Sequence, residues 1–323
     1  RIAGTGWGLP AHVRTNADLS VRLGGIKERW VEQKSGIQQR RIAGPEVAAS
    51  DLGCAAARDA LARAGVLAEQ VGLIVCATVS PDMMFPPTAS LIQGRLGAVN
   101  AWAFDLEAAS SGLLYGLAVA DRFVACGDCD YALVVGTEIM SRFVDWDDRR
   151  TSILFGDGAG ALLLAPSTDG SGFQRFVLGG DGTAAGILNL PAGGSRLPAS
   201  RRTVDEGLHF VHMEGKPLYR AAVHHLQQVA RELLQRTGFS VEDIGLFIPH
   251  QANLRILEDA FAGLGVDMER VVVTVDRLAN VASANIAIAM HQAVLDGRLS
   301  PGMLVMLLAF GAGYNWGAAL LRW

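Results

Sequence analysis

Cysteine is scarce: the 323-residue chain holds four, at positions 54, 76, 126 and 129. A chain this long buries enough apolar surface to fold without cross-links, so no disulfide framework is expected and the compartment reads as reducing. Cys126 and Cys129 have redox or zinc spacing, but no second pair completes a four-ligand site. They close an apolar helical pattern and are read as structural. Charge is sparse as well. Charged residues make up 19% and leave a net charge of −4, so there is no global basic field for nucleic acid. Long apolar runs are missing: Leu304 to Phe310 is among the longest and is too short to span a bilayer. No charged-then-apolar leader opens the chain, so no export signal is read and a cytoplasmic location is expected. The first residue is Arg1, not methionine, which points to a few native residues missing from the front.

What is abundant is apolar surface and glycine: half the residues are hydrophobic and 38 are glycine. Those proportions suit a tightly packed α/β enzyme. The chain also repeats itself. ALARAGVLAEQVGL from Ala60 and LLQRTGFSVEDIGL from Leu233 each end an amphipathic helix and turn at a glycine, Gly65 or Gly238. Each then enters an apolar strand, LIVCAT from Leu73 or LFIPHQ from Leu246. An aspartate, a small-residue stretch and a long apolar helix follow in both copies, after Asp105 and after Asp276. Each copy closes on a glycine-rich segment expected to be a hairpin, at Phe155 and at Phe310. Strands such as Tyr131-ALVVG and Met303-LVMLLAF are continuous apolar runs, as buried strands are. Helices rich in alanine and glycine, such as Gly112 to Ala125, suit a layer held between two sheets. The reading is a duplicated βαβ-type α/β protein with five α/β/α/β/α layers. Its halves are 1–167 and 168–323, divided where Ser, Thr, Asp and Gly cluster.

Two helix starts in such a duplication can converge on the midline, each offering free N–H groups and a partial positive charge. The first copy puts Ser110 and Ser111 there, and the second puts Asn280 in the equivalent stretch. The strand at Leu246 delivers Pro249-His250-Gln251-Ala252-Asn253 at its C-terminal end, where α/β proteins place function. Taken singly, a histidine after a strand, an asparagine in a turn and glycine-rich turns are ordinary structural features.

As a set, in this order, they resemble β-ketoacyl-ACP synthase III of the thiolase superfamily, and the resemblance spans the whole chain. Asp105-LEAASSG resembles the nucleophile turn, with Ser110 where that family has cysteine. Pro249 to Arg255 resembles the histidine motif, and Asn280 the asparagine, with Ala279 where glycine is usual. Phe155-GDGAGA and Phe310-GAGYNWG also match, with Ala312 in place of a common glycine. The resemblance implies the thiolase fold and a decarboxylating Claisen condensation of an acyl-CoA starter with malonyl-ACP, initiating fatty acid or polyketide synthesis. It implies catalytic Ser110, His250 and Asn280, and an oxyanion hole from the backbones of Ser110 and Ala312. Trp30, Lys34, Arg149 and Asn253 would meet CoA, and Arg220 and Arg255 the acyl carrier protein. Phe85 would cross a homodimer interface to close the acyl pocket. No metal or redox cofactor is implied, and neither nucleic acid nor a membrane is an expected partner.

Serine at position 110 leaves three readings open. Ser110 replaces the cysteine of an ordinary synthase and impairs acyl transfer, it is a natural nucleophile with His250 as base, or the chain is a non-catalytic dimer partner. Cysteine ionises near pH 8.5, whereas a serine hydroxyl needs a base to take its proton during attack. A serine hydrolase is disfavoured, because no Gly-x-Ser-x-Gly elbow is present.

Overall fold

The computed structural model describes all 323 residues, Arg1–Trp323. Its packing begins with glycine. Gly4, Gly6 and Gly8 alternate along one face of the first strand, Ile2–Gly8 (β1), and against that bare face lies the helix Ala49–Ala64 (α1). A Cβ at those glycines would sit 2.2, 2.3 and 2.2 Å from the carbonyl oxygens of Ala60, Ala56 and Leu52. The helix backbone therefore touches the strand directly, an approach that any side chain would prevent. The helix ends at Gly65 in the left-handed region, and the counterpart at Gly238 does the same.

The remaining strands of this sheet are Leu73–Ala77 (β2), Trp102–Leu106 (β3), Ala132–Ile139 (β4) and Asp157–Leu164 (β5). Their order is β1-β5-β4-β2-β3, with β2 parallel to both β3 and β4 and with β5 antiparallel to its neighbours. The second sheet is built from Gly172–Gly180 (β6), Leu246–Pro249 (β7), Leu304–Gly311 (β8) and Asn315–Arg322 (β9), ordered β7-β8-β9-β6. β7 and β8 are parallel and the other pairs antiparallel, so β6, β9, β8 and β7 repeat the roles of β1, β5, β4 and β2.

Between the sheets run the helices Gly112–Cys126 (α2) and Asn285–Leu295 (α5). Residues of both helices and both sheets share one apolar cluster. Two further clusters sit outside the sheets, one under α1 and one under Gly215–Thr237 (α3) and Leu254–Ala262 (α4). This is the five-layered thiolase fold. Every residue of β4 and of β8 is buried, which explains why residues 132–136 and β8 read as unbroken apolar runs rather than alternating ones.

Two features depart from a strict duplication. The counterpart of β3 is reduced to a single parallel bridge between Phe247 and Val271. The buried Gln251 side chain takes over there: its amide donates to the carbonyls of Pro249 and Val272 and accepts from the N–H groups of Thr274 and Val275. Backbone groups that a fifth strand would pair are satisfied by one glutamine. The segment at Phe155 is also not the hairpin expected. Gly158 and Gly160 lie inside β5, and the chain returns from β4 through residues 140–156, whereas β8 and β9 do meet in a tight turn.

Candidate active site

The two internal helices start alike. A 3-10 turn, Ala109–Ser111, leads into α2, and another, Ala282–Ala284, leads into α5. The turns pack against each other at the midline. Ser111 is fully buried, and its hydroxyl donates to the Asn315 carbonyl at 2.9 Å. Ser110 is left half-exposed, at a point shared by two cavities. Of the two serines in the motif, Ser110 faces solvent space and Ser111 holds the turn to β9.

His250 leaves the end of β7, where its backbone N–H donates to the Leu308 carbonyl at 2.7 Å. It is 4% exposed, and burial pushes its imidazole down to about 3, so the ring is neutral at physiological pH. Asn280 is bracketed by backbone bonds, its N–H to the Leu154 carbonyl at 2.9 Å and its carbonyl from the Gly156 N–H at 3.0 Å. Its side-chain oxygen accepts from the Ala282 N–H at 2.9 Å and from the Asn285 amide at 3.0 Å. Ser110, His250 and Asn280 line one cavity of about 1000 Å³.

Trp30, Lys34, Arg149, Asn253, Arg220 and Arg255 line the same cavity. Lys216 and Arg150, not anticipated from the sequence, join them, and Asp259 is the only acidic lining residue. A chain with a net charge of −4 thus presents a cationic wall here. The basic residues are not equally free. Arg255 pairs with Glu258 at 2.7 Å and donates to the Gln33 carbonyl, and Arg150 pairs with Asp148 at 2.9 Å. Arg149, Lys34 and Arg220 make no ion pair or side-chain hydrogen bond. Asn253 caps α4, accepting from the Arg255 N–H at 2.8 Å and donating to the Lys34 carbonyl, so its amide is already engaged at both ends.

Ala312 lines a smaller cavity of about 400 Å³, with Ser110, Met140, Phe143, Leu188 and Leu190. Its backbone N–H has no acceptor in the protein. A Cβ added at Gly311 would lie 2.8 Å from the Ser110 nitrogen and 2.9 Å from that of Ser111. The strand end and the serine turn are therefore in backbone contact. Phe85 lines neither cavity and is 84% exposed. Asn285, which bridges His250 and Asn280, was not read from the sequence. A polar residue five positions beyond Asn280 at an apolar helix start was the available signal.

Two family profiles match, 3-Oxoacyl-[acyl-carrier-protein (ACP)] synthase III over residues 104–189 and its C-terminal counterpart over residues 234–323. The chain is 47% identical over 322 residues to a β-ketoacyl-[acyl-carrier-protein] synthase III of Symbiobacterium thermophilum, covering 100% of this chain and 97% of that protein. A synthase III of Solibacter usitatus is 45% identical over 326 residues, covering 100% and 98%. Among solved structures, synthase III of Thermus thermophilus superposes with a TM-score of 0.92 at 39% identity, covering 100% and 98%. The priming β-ketosynthase of the R1128 polyketide pathway superposes with a TM-score of 0.91 at 36% identity, covering 100% and 96%.

Proposed function

The chain belongs to the β-ketoacyl-ACP synthase III family, and from that premise we propose that Ser110, His250 and Asn280 form its condensing site, with serine in the nucleophile's place. The chain is an acyltransferase by family, of the kind that joins a starter acyl group to malonyl-ACP in fatty acid initiation. The observation that carries the site assignment is the convergence of those three side chains on one cavity with a basic wall.

In the first half-reaction the residue at position 110 attacks the thioester carbonyl of acyl-CoA, its proton leaves, and CoA departs as the thiol. The negative oxygen formed on the way needs N–H donors, and the free Ala312 N–H together with the Ser110 N–H fit that need. The start of α2 adds a partial positive charge beside the nucleophile. In the second half-reaction malonyl-ACP loses carbon dioxide, and the electrons of the broken C–C bond form a thioester enolate. A neutral His250 and the Asn280 amide serve as hydrogen-bond donors to that enolate oxygen. The enolate carbon then attacks the acyl group on residue 110, which is released and reprotonated. The family's condensation needs no metal or redox cofactor.

A histidine held near 3 binds a proton poorly and is a weak base for a serine hydroxyl. The Ser110 protein therefore acylates slowly, while decarboxylation, which uses His250 and Asn280, persists. Trp30, Lys34 and Arg149 receive the CoA nucleotide, with Arg220 left to meet the acidic carrier protein and Arg255 committed to Glu258. Asn253 acts on the CoA site through the cap that joins α4 to Lys34. Met84 and Phe85 are 77% and 84% exposed, apolar surface that suits a homodimer in which Phe85 reaches the second copy's acyl pocket. The halves 1–167 and 168–323 act as one catalytic unit, and the protein works in the cytoplasm.

The test is carrier-protein mass spectrometry after incubation with acetyl-CoA and malonyl-ACP. The expected result is β-ketobutyryl-ACP from the Ser110→Cys variant and mainly acetyl-ACP, the decarboxylation product, from the Ser110 protein. Absence of both products from both proteins would contradict the assignment.

A further inference from the structure

Asn285 opens α5 and is 1% exposed. Its side-chain nitrogen lies 3.2 Å from Nδ1 of His250, 3.0 Å from Oδ1 of Asn280 and 3.3 Å from the Gln251 carbonyl. Its side-chain oxygen accepts the Val281 N–H at 3.1 Å. This orientation of the amide is dictated by its neighbours. Rotating it by 180° would set its oxygen against two other oxygens and leave the Val281 N–H facing an NH2 group.

Two consequences follow for the groups it touches. Nδ1 of His250 faces a donor, so it must offer its lone pair, and the ring proton of the neutral imidazole sits on Nε2. Nε2 has no protein partner and faces the cavity. Oδ1 of Asn280 is held by the Asn285 amide and the Ala282 N–H, which turns the Asn280 NH2 group away from them and toward the same cavity. One buried amide thus orients two donors.

We propose that Asn285 is a positioning residue that fixes His250 in the Nε2–H tautomer and turns Asn280 NH2-outward, so that both act as donors to the enolate oxygen. The inference rests on the proposed roles of His250 and Asn280, but the tautomer it assigns can be observed without turnover. Neutrality of the ring, which burial enforces, is consistent with a donor role.

The experiment uses the full chain with 15N-labelled histidine, and a His250→Gln variant assigns the His250 ring signals. The expected spectrum has a protonated Nε2 and an unprotonated Nδ1, unchanged between pH 6 and 8. In Asn285→Asp the carboxylate accepts from Nδ1–H and from the Asn280 NH2 group, so Nδ1 becomes protonated and both donors turn inward. Malonyl-ACP decarboxylation should then lose about 100-fold in kcat, with KM changed little, the scale of losing an oxyanion donor. Asn285→Ala removes the donor without imposing an acceptor, so it should give a tautomer mixture and a loss of about tenfold, an intermediate on the same scale. A protonated Nδ1 in the unaltered protein, or full kcat in Asn285→Asp, overturns the proposal. If the unaltered protein does not decarboxylate malonyl-ACP, the functional reading fails, and the nitrogen spectrum alone decides the role of Asn285.

Discussion

Ala109 and Ala282 occupy the same place in the two halves, each opening the 3-10 turn that precedes an internal helix. Both have left-handed backbone, with φ of 47° and 39°. A non-glycine residue there is strained by roughly 1–3 kcal/mol, and the repeat of the strain indicates that the turn geometry requires it. Glycine at either position should leave stability unchanged or raise it by up to about 1 kcal/mol. Valine, branched at Cβ, should cost about 2–3 kcal/mol at either. Urea unfolding of the four single variants measures this, and opposite signs at the two positions would break the equivalence.

Gly311 is where β8 meets the serine turn. With a Cβ 2.8 Å from the Ser110 nitrogen and 3.2 Å from the Ala108 carbonyl, Gly311→Ala must push the turn away from the strand. In the Ser110→Cys background this should lower acylation by about 100-fold, the scale of losing one oxyanion donor. CoA affinity, proposed to rest on Trp30 and Arg149, should change little. Acylation rates and CoA titration of the two proteins check the split.

Stability should depend on pH through His250 and Glu138 with opposite signs. His250 falls to about 3 in the folded state, so between pH 6.5 and 3 the unfolded chain binds the extra proton. The stability associated with neutral His250 is therefore present above pH 6.5 and lost as pH drops, by about 1.4 kcal/mol per unit within that window. Fully buried Glu138 is pushed up to about 7 by burial, against donors from Ser80, Ser283 and Val79. Its contribution is present below pH 4.5 and lost as pH rises to 7. His250→Gln should remove only the first dependence. Between pH 7 and pH 5 the two contributions largely cancel in the parent, so urea unfolding at those pH values should show the variant gaining stability on acidification relative to the parent. An identical change in both would exclude the assignment.

The basic wall predicts salt-sensitive nucleotide binding. Arg149, exposed and without an ion-pair partner, should contribute through long-range attraction to phosphate. Arg149→Glu should weaken CoA about tenfold at low salt, or about 1.4 kcal/mol, and less at high salt. Calorimetric titration at two ionic strengths measures the difference, and equal affinity for the two proteins would remove Arg149 from the site.

Most of the fold was legible because burial on both faces leaves a plain mark. Residues 132–136 of β4 and all of β8 read as unbroken apolar runs, and the repeat of helix, glycine and strand at Gly65 and Gly238 exposed the duplication. What was not legible depends on single side chains or on a second molecule. Nothing in the Val271–Val275 run announces that Gln251 will satisfy its backbone and end the sheet at four strands. The glycines after Phe155 look like a turn, yet Gly158 and Gly160 lie inside β5 and serve close packing there. Ser110, His250 and Asn280, proposed as the condensing site, were picked out by resemblance, whereas Asn285 touches two neighbours that only folding brings together. Asn253 is both the cap of α4 and a lining residue of the larger cavity, and the two roles leave the same polar letter beside a helix. Phe85 is exposed and lines neither cavity within one chain.

The central claim, that position 110 is the nucleophile position of a synthase III site, is tested most directly by intact-protein mass after incubation with acetyl-CoA and longer acyl-CoAs. The Ser110→Cys protein should gain one acyl group within the assay while the Ser110 protein gains little or none. Acylation of neither protein, or acylation of the cysteine form at a residue other than 110, would contradict the account.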